Sequence, residues 1–506
     1  MGNVAFIPND PLASGGPGPM TVKPRTFPRT GAGWVVQPSA AAGQYEPHTP
    51  DFDFWQTQEA LIRGLAAWRQ WDGKPLPAWQ GSRKKLPVQT NAGDDLNAFY
   101  DRQSLQFFAH TFNGHTVHSA ESVDIVCHEQ GHALLDAVRP DFWDVPFIEV
   151  ASLHEAFGDC MALLAALNDP VVRKAVVDAS PDLSGPHFVE SLAEELGDAI
   201  AREFGRDSSE DGALRHADNK LQWVDPTTLP PNAPVSQLAG EVHSFSRVFT
   251  GVFYDLIRNI YRAGSRDPNG LRNAARVAGR LLISAIRGVP ARPRVDEAMG
   301  RRMLQIDIEK NGGANVAAIQ AAFEAHAIVL PAPAKPLAVP MTRGGRTTRG
   351  ATRELRERLE TPEGRVQFTP VDTDDEGEIA HVTGFRPVEL SGELQGVHVL
   401  VPGVARVRTR GRSVVGVLGD VLPAAEEAER QARAFAQVLV ANGDLRGHGT
   451  GTAPAAPAGR RTRGRAMAPA PQRPATAPLP PTHEIRDVDG RPTIVRLGFS
   501  CYPRFR

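Results

Sequence analysis

At 506 residues, with 41% hydrophobic and 23% charged content, the chain has the make-up of a globular protein long enough for two or three domains. A formal net charge of −2 gives no electrostatic reason to expect nucleic acid or an anionic membrane as the main partner. Three cysteines, Cys127, Cys160 and Cys501, are too few and too scattered for a disulfide framework.

The first twenty residues lack a basic stretch followed by a long apolar one, so no secretory signal is expected. A cytoplasmic location follows from that, with release by a non-classical route left open. Met1-Gly2-Asn3 begins as a myristoylation signal does, but Phe6 stands where Ser or Thr is needed. No run of about 18 apolar residues occurs, so no membrane span is expected. Residues 1–51, rich in Pro, Gly and Ala without periodicity, read as a flexible arm. Helical spacing of apolar residues begins at Phe52 and dominates to position 330. Residues 331–352 read as a Pro/Gly-rich linker. Residues 353–446 form a small α+β module, with β-type runs over 397–418 and an amphipathic helix over 424–441. Low-complexity Pro, Ala, Gly and Arg at 447–482 read as a disordered insert, and 483–506 closes the module with two strands around an Asp-Gly turn.

Cys127-His128-Glu129-Gln130-Gly131-His132 carries the chemistry. On a helix, His128 and His132 stand four apart, so both imidazoles project from one face toward one ion. Glu129 lies about 100° round the helix, flanking the ion as a base instead of joining it as a ligand. A catalytic zinc needs a third protein ligand and one open position. The next helical segment, Ala151–Asp159, supplies Glu155, with Asp159 four residues later to hold a ligand imidazole. The apolar residues around these carboxylates, Leu153, Ala156, Phe157 and Met161, argue against a solvated acidic face.

This arrangement resembles the thermolysin-like zinc metallopeptidases (gluzincins), in which H-E-x-x-H precedes N-E-A-x-S-D by some twenty residues. His128, Glu129, His132, Glu155 and Asp159 match. Asn97-Ala98-Phe99-Tyr100 is similar to the family's edge strand, so the resemblance assigns Asn97 and Ala98 to the substrate backbone. Asp124 and Asp136 match family positions four before and four after the zinc histidines, and the resemblance implies that Asp124, with Asp159, supports the metal ligands. Leu214-Arg215 and Val242-His243 resemble the motifs whose arginine holds a substrate carbonyl and whose histidine stabilises the transition state. Residues 316–329 look like the closing helix.

The resemblance implies a thermolysin-like catalytic domain over 52–330, an α+β fold with a reduced N-terminal β part and a mainly helical C-terminal lobe. It departs from the family in four places. His154 replaces the asparagine that orients a zinc imidazole. No Tyr lies between Tyr100 and Tyr254, leaving Phe142 or Trp143 to fill that space. Leu238 replaces an aspartate, with Glu241 a substitute. The acidic calcium cluster is not recognisable after Asp159, so one catalytic Zn2+ is expected and calcium is not.

The expected activity is endoproteolysis of peptide or protein substrates, with Glu129 as general base and His243 and Arg215 at the oxyanion. A different class, a non-catalytic zinc-stabilised scaffold working through its C-terminal module, is the alternative; retention of Glu129 argues against it. Cys127 and Cys160 read as small buried residues. His110, His115 and His118 read as surface histidines. The arginines at 343–349 and 460–465 read as solvated linker, so no nucleic-acid partner is expected. Oligomeric state is not legible.

Overall fold

The computed structural model describes residues 2–27, 32–74, 78–81, 85–205, 208–330, 359, 366–374, 377–410, 413–421, 425–447 and 481–501. The expected linker and insert lie almost wholly outside these residues, as do both arginine runs.

The fold is mixed α+β, as expected. Strands β1 (Val4–Phe6) and β2 (Met20–Val22) pair with each other. β3 (Gly33–Gln37), β4 (Lys85–Gln89), β5 (Ala98–Tyr100) and β6 (Leu105–Phe107) form the sheet beside the site. Within it, β5 runs antiparallel to β6. The hairpin β7 (Ala109–Phe112) and β8 (His115–His118) leads into the helices.

Helix α1 (Pro50–Asp72) starts at Thr49, whose side chain accepts from the Phe52 N–H, with Pro50 at its first turn. α2 (Val123–Val138) is capped by Ser122, and α3 (Ile148–Asn168) follows Phe147. α4 (Pro170–Ala179), α5 (Glu194–Phe204), α6 (Val242–Ala263), α7 (Pro268–Gly288), α8 (Val295–Asn311) and α9 (Val316–Ala325) complete the helical part. The short strands β9 (Ser191–Leu192) and β10 (Arg215–His216) pair between α4 and α6.

By length and composition α3 is apolar enough to cross a membrane, but that apolar stretch is wholly buried inside the fold. It is packed by α1, α2, α6 and α7, so its apolar surface is already covered as a core helix.

The C-terminal module holds β11 (Val366–Asp374), β12 (Gly377–Glu389), β13 (His398–Arg410) and β14 (Ser413–Val421), then α10 (Ala425–Ala441) and β15 (Leu445–Arg446). The expected Asp-Gly hairpin is β16 (His483–Val488) and β17 (Arg491–Arg496), which joins β13. β18 (Phe499–Ser500) leaves the module and adds to β5 in the other sheet.

Two expectations are corrected. Residues 1–51 are not a free arm: Val4, Phe6 and Trp34 are buried in the main core. The Ile7 N–H donates to Gln56 Oε1 at 2.9 Å, and Gln56 Nε2 returns a bond to the Ile7 carbonyl at 2.8 Å. Three-residue strands show no periodicity, which is why composition alone suggested disorder. Nor is 52–330 a self-contained unit, since Val399, Val401, Phe435 and Phe499 belong to the same core cluster. Removing buried aromatics of this kind costs about 3–5 kcal/mol each.

Candidate metal centre

Helices α2 and α3 touch through Gly131 and Gly158. A Cβ on Gly131 would meet the Gly158 Cα at 2.9 Å, and one on Gly158 would stand 2.6 Å from His128 Nδ1. This contact, possible only between glycines, lays the His128 ring directly on α3.

His128 Nε2 lies 3.3 Å from Glu155 Oε2, and His132 Nε2 lies 3.5 Å from the same oxygen. The two imidazoles are perpendicular with centroids 4.7 Å apart. Among the described residues, all three donor atoms are buried without a hydrogen-bond partner. A tetrahedral zinc with bonds of about 2.0–2.1 Å has donor–donor edges of about 3.3–3.4 Å. The three orphaned atoms therefore fit one such ion, and a cation would satisfy all of them.

Outer partners hold the ligands. His128 Nδ1 donates to Asp159 Oδ1 at 2.9 Å. Arg215, on β10, grips the same carboxylate with Nη2 at 2.8 Å and Nε at 3.2 Å, and Thr250 on α6 donates to it at 3.0 Å. Burial alone would raise the Asp159 pKa, but Arg215 and His128 hold it down at about 2. His132 Nδ1 shares a hydrogen bond of 2.8 Å with His154 Nδ1. With the proton on His132, its Nε2 is left bare toward the triad, the tautomer a metal needs. Burial keeps His132 neutral, with a pKa near 4, and pushes His154 well below its ordinary value. Glu155 is held well below the carboxylate range despite its burial by His243 and His132.

A Glu129 oxygen, a ring nitrogen of His128 and the Cys501 sulfur lie within 4.8 Å of one another. Both Glu129 oxygens are buried with no hydrogen-bond partner among the described residues, and burial raises the Glu129 pKa to about 8. His243 sits in the first turn of α6, whose N-cap Glu241 accepts from the Ser244 N–H at 2.9 Å. Glu241 Oε1 also accepts from His243 Nδ1 at 2.6 Å, and His243 Nε2 lies 3.4 Å from Glu155. Burial opposes charge on His243, but Glu155 and Glu241 raise its pKa to about 9, so the ring is an imidazolium at neutral pH. A pocket lined by Leu214, Arg215, Val235, His243 and Arg247 opens beside it.

Ala98 opens β5, whose outer side is covered by β18, and Asn97 directly precedes it, with Asn97 Oδ1 accepting from the Ala98 N–H at 2.8 Å. Asp124 does not touch a ligand imidazole: its oxygens accept from Asn9 Nδ2 at 2.9 Å and the Ala193 N–H at 3.3 Å. It instead forms a buried group with Asp10 and Glu194, with donor oxygens within 4.8 Å of one another. Burial raises the pKa of all three. Asp136 is used structurally, accepting from Tyr100 and Arg102. Trp143 flanks the site edge-on to Phe499, whereas Phe142 packs under Arg139. His118 is buried and bonded to Asp53 at 2.8 Å, unlike the surface histidine expected there.

Sequence reasoning missed Gly158, Thr250 and above all the tail residues Phe499 to Cys501. The pairing of Gly131 with Gly158, one glycine in each metal-bearing segment, was the available sign of a close helix crossing. The chain matches no protein-family model, and no curated protein is significantly similar to it.

Proposed function

We propose that the protein is a zinc-dependent endopeptidase of thermolysin-like type, working at His128, His132 and Glu155. Bound there, zinc would supply a Lewis acid for the scissile carbonyl and lower the pKa of an attacking water. A divalent cation held by the triad would restore Glu129 to its ionised form, and Glu129 would then accept the proton of that water and return it to the leaving amine. The imidazolium of His243 donates to the developing oxyanion, and Arg215, fixed by Asp159, donates to the next carbonyl. The Ala98 carbonyl and Asn97 side chain align the substrate as an added strand. The pocket beside His243, walled by Leu214 and Val235, favours an apolar side chain after the cleaved bond.

The observation that carries this reading is Glu129. A zinc site that served only structure would have no use for a buried carboxylate, unpartnered at both oxygens, beside its ligands. The test is metal analysis combined with digestion of a peptide library. One zinc per chain is expected, lost in His128→Ala, His132→Ala and Glu155→Ala. A zinc-loaded chain that cleaves nothing, even with β18 displaced from β5, would favour the scaffold alternative.

A further inference from the structure

The cleft beside the triad is filled by the chain's own C-terminal segment. β18 runs antiparallel to β5, with Phe499 opposite Tyr100 and Ser500 opposite Phe99. The tail makes the contacts that the peptidase reading assigns to a substrate. The Cys501 N–H donates to the Ala98 carbonyl at 3.0 Å. The Ser500 carbonyl accepts from His243 Nε2 at 2.6 Å, and the Cys501 carbonyl accepts from Arg215 Nη1 at 3.3 Å. The Ser500 hydroxyl donates to Asn97 Oδ1 at 3.2 Å.

The docking is built, not incidental. The Phe499 ring stacks on His154 with centroids 3.9 Å apart and on His132 at 4.6 Å. The Arg496 guanidinium lies 4.1 Å from the centre of the same ring. Arg496 is itself tied down, donating from Nε to the Trp143 carbonyl at 2.8 Å and from its N–H to Asp144 at 3.1 Å. Gly498 lets the strand approach, because a Cβ there would stand 2.4 Å from the Phe99 ring and 2.6 Å from the Tyr100 carbonyl.

Cys501 is buried, and its sulfur lies within 4.8 Å of donor atoms of both His128 and Glu129. A catalytic metal keeps one position open, and the attacking water must reach it between the metal ligands and the base. The Cys501 side chain lies beside that base and one of the ligands.

We propose that Phe499–Cys501 is a built-in inhibitor of the peptidase, occupying the place of the substrate strand with the Cys501 side chain beside the base Glu129. The inference rests on the peptidase reading for its functional meaning. The enzyme is latent until the tail leaves the edge strand. Because the tail mimics a substrate strand, the same geometry makes the Ser500–Cys501 bond the one a cutting enzyme would attack, and the test must separate the two.

The test uses the full chain loaded with Co(II) or zinc. Labelling by a thiol reagent, read by peptide mapping, should reach Cys501 slowly in wild type and at least about tenfold faster in Gly498→Ala at equal metal content. Cys501→Ala and Gly498→Ala should each raise kcat/KM on a fluorogenic peptide at least about tenfold, with intact mass unchanged in wild type. The two variants act on different contacts, so misfolding of one leaves the other to decide. Equal labelling of Cys501 in wild type and Gly498→Ala, or variants no faster than an already active wild type, would overturn the proposal. Cleavage of wild type after Ser500 would overturn it too, making the tail a substrate while upholding the peptidase reading. Protection of Cys501 in wild type with no peptide cut by any variant would uphold the docking and sink the peptidase reading instead.

Discussion

Gly158 on α3 lies against the imidazole of His128 on α2, so close that a methyl group would stand 2.6 Å from Nδ1 and 2.7 Å from Cε1. The ring is thereby wedged between α3 and the Asp159 carboxylate that binds it. In an exposed mid-helix position Gly→Ala stabilises by roughly 0.5–1 kcal/mol. Here the sign should reverse. Gly158→Ala should lower zinc affinity by about 10–100-fold, the size seen when an outer partner of a metal ligand is disturbed, and should lower Tm. Competition with a chromogenic chelator checks it; unchanged affinity would mean that the helix contact does not set the ring.

His154 orients His132 through an Nδ1–Nδ1 hydrogen bond, where the family pattern has asparagine. His154→Asn, whose side-chain oxygen can accept the same proton, should keep stoichiometric zinc. His154→Leu removes the acceptor and should lose about 10–100-fold in affinity. Equal zinc binding by both variants would show the bond to be dispensable.

Glu194 is held protonated by burial and by the neighbouring carboxylates of Asp10 and Asp124, with a pKa pushed up to about 10. A raised carboxylate pKa means that its contribution to stability is fully present below the unfolded value, about 4.3. That contribution is lost as pH rises toward 10, because the unfolded chain ionises first. Glu194→Gln removes the penalty, so the Tm of the variant relative to wild type should be near zero at pH 4.5 and positive at pH 8. A variant less stable than wild type at pH 8, with the difference abolished by EDTA, would show instead that the three carboxylates hold a cation.

The triad was legible because its geometry is local. His128 and His132 share a helix face by spacing alone, and Glu155 and Asp159 repeat that spacing on the next helix. The edge strand, Arg215 and His243 were legible only through the resemblance, since nothing in their spacing brings them to α2. The exchange of His154 for asparagine was visible, but its service to His132 needed the Nδ1–Nδ1 distance. Residues 4–6 were misread because strands of three residues carry no period. Asp10 and Glu194 escaped because the acidic group draws its members from positions far apart in the chain, on both sides of Asp124. The tail escaped for the same reason: Gly498-Phe499-Ser500-Cys501 follows the hairpin with no pattern of its own, and its partner strand lies some four hundred residues earlier.

The most direct test of the central claim is Glu129→Gln, made in the Cys501→Ala background so that the tail's thiol does not obscure the rate. The amide preserves shape and leaves all three ligands, but cannot accept a proton from the attacking water. The variant should hold one zinc per chain and keep its melting temperature, yet lose at least about 10²-fold in kcat on a fluorogenic peptide, the low end for a positioned general base. An unchanged rate, or loss of zinc from the Gln variant, would contradict the role assigned to Glu129 and with it the peptidase mechanism.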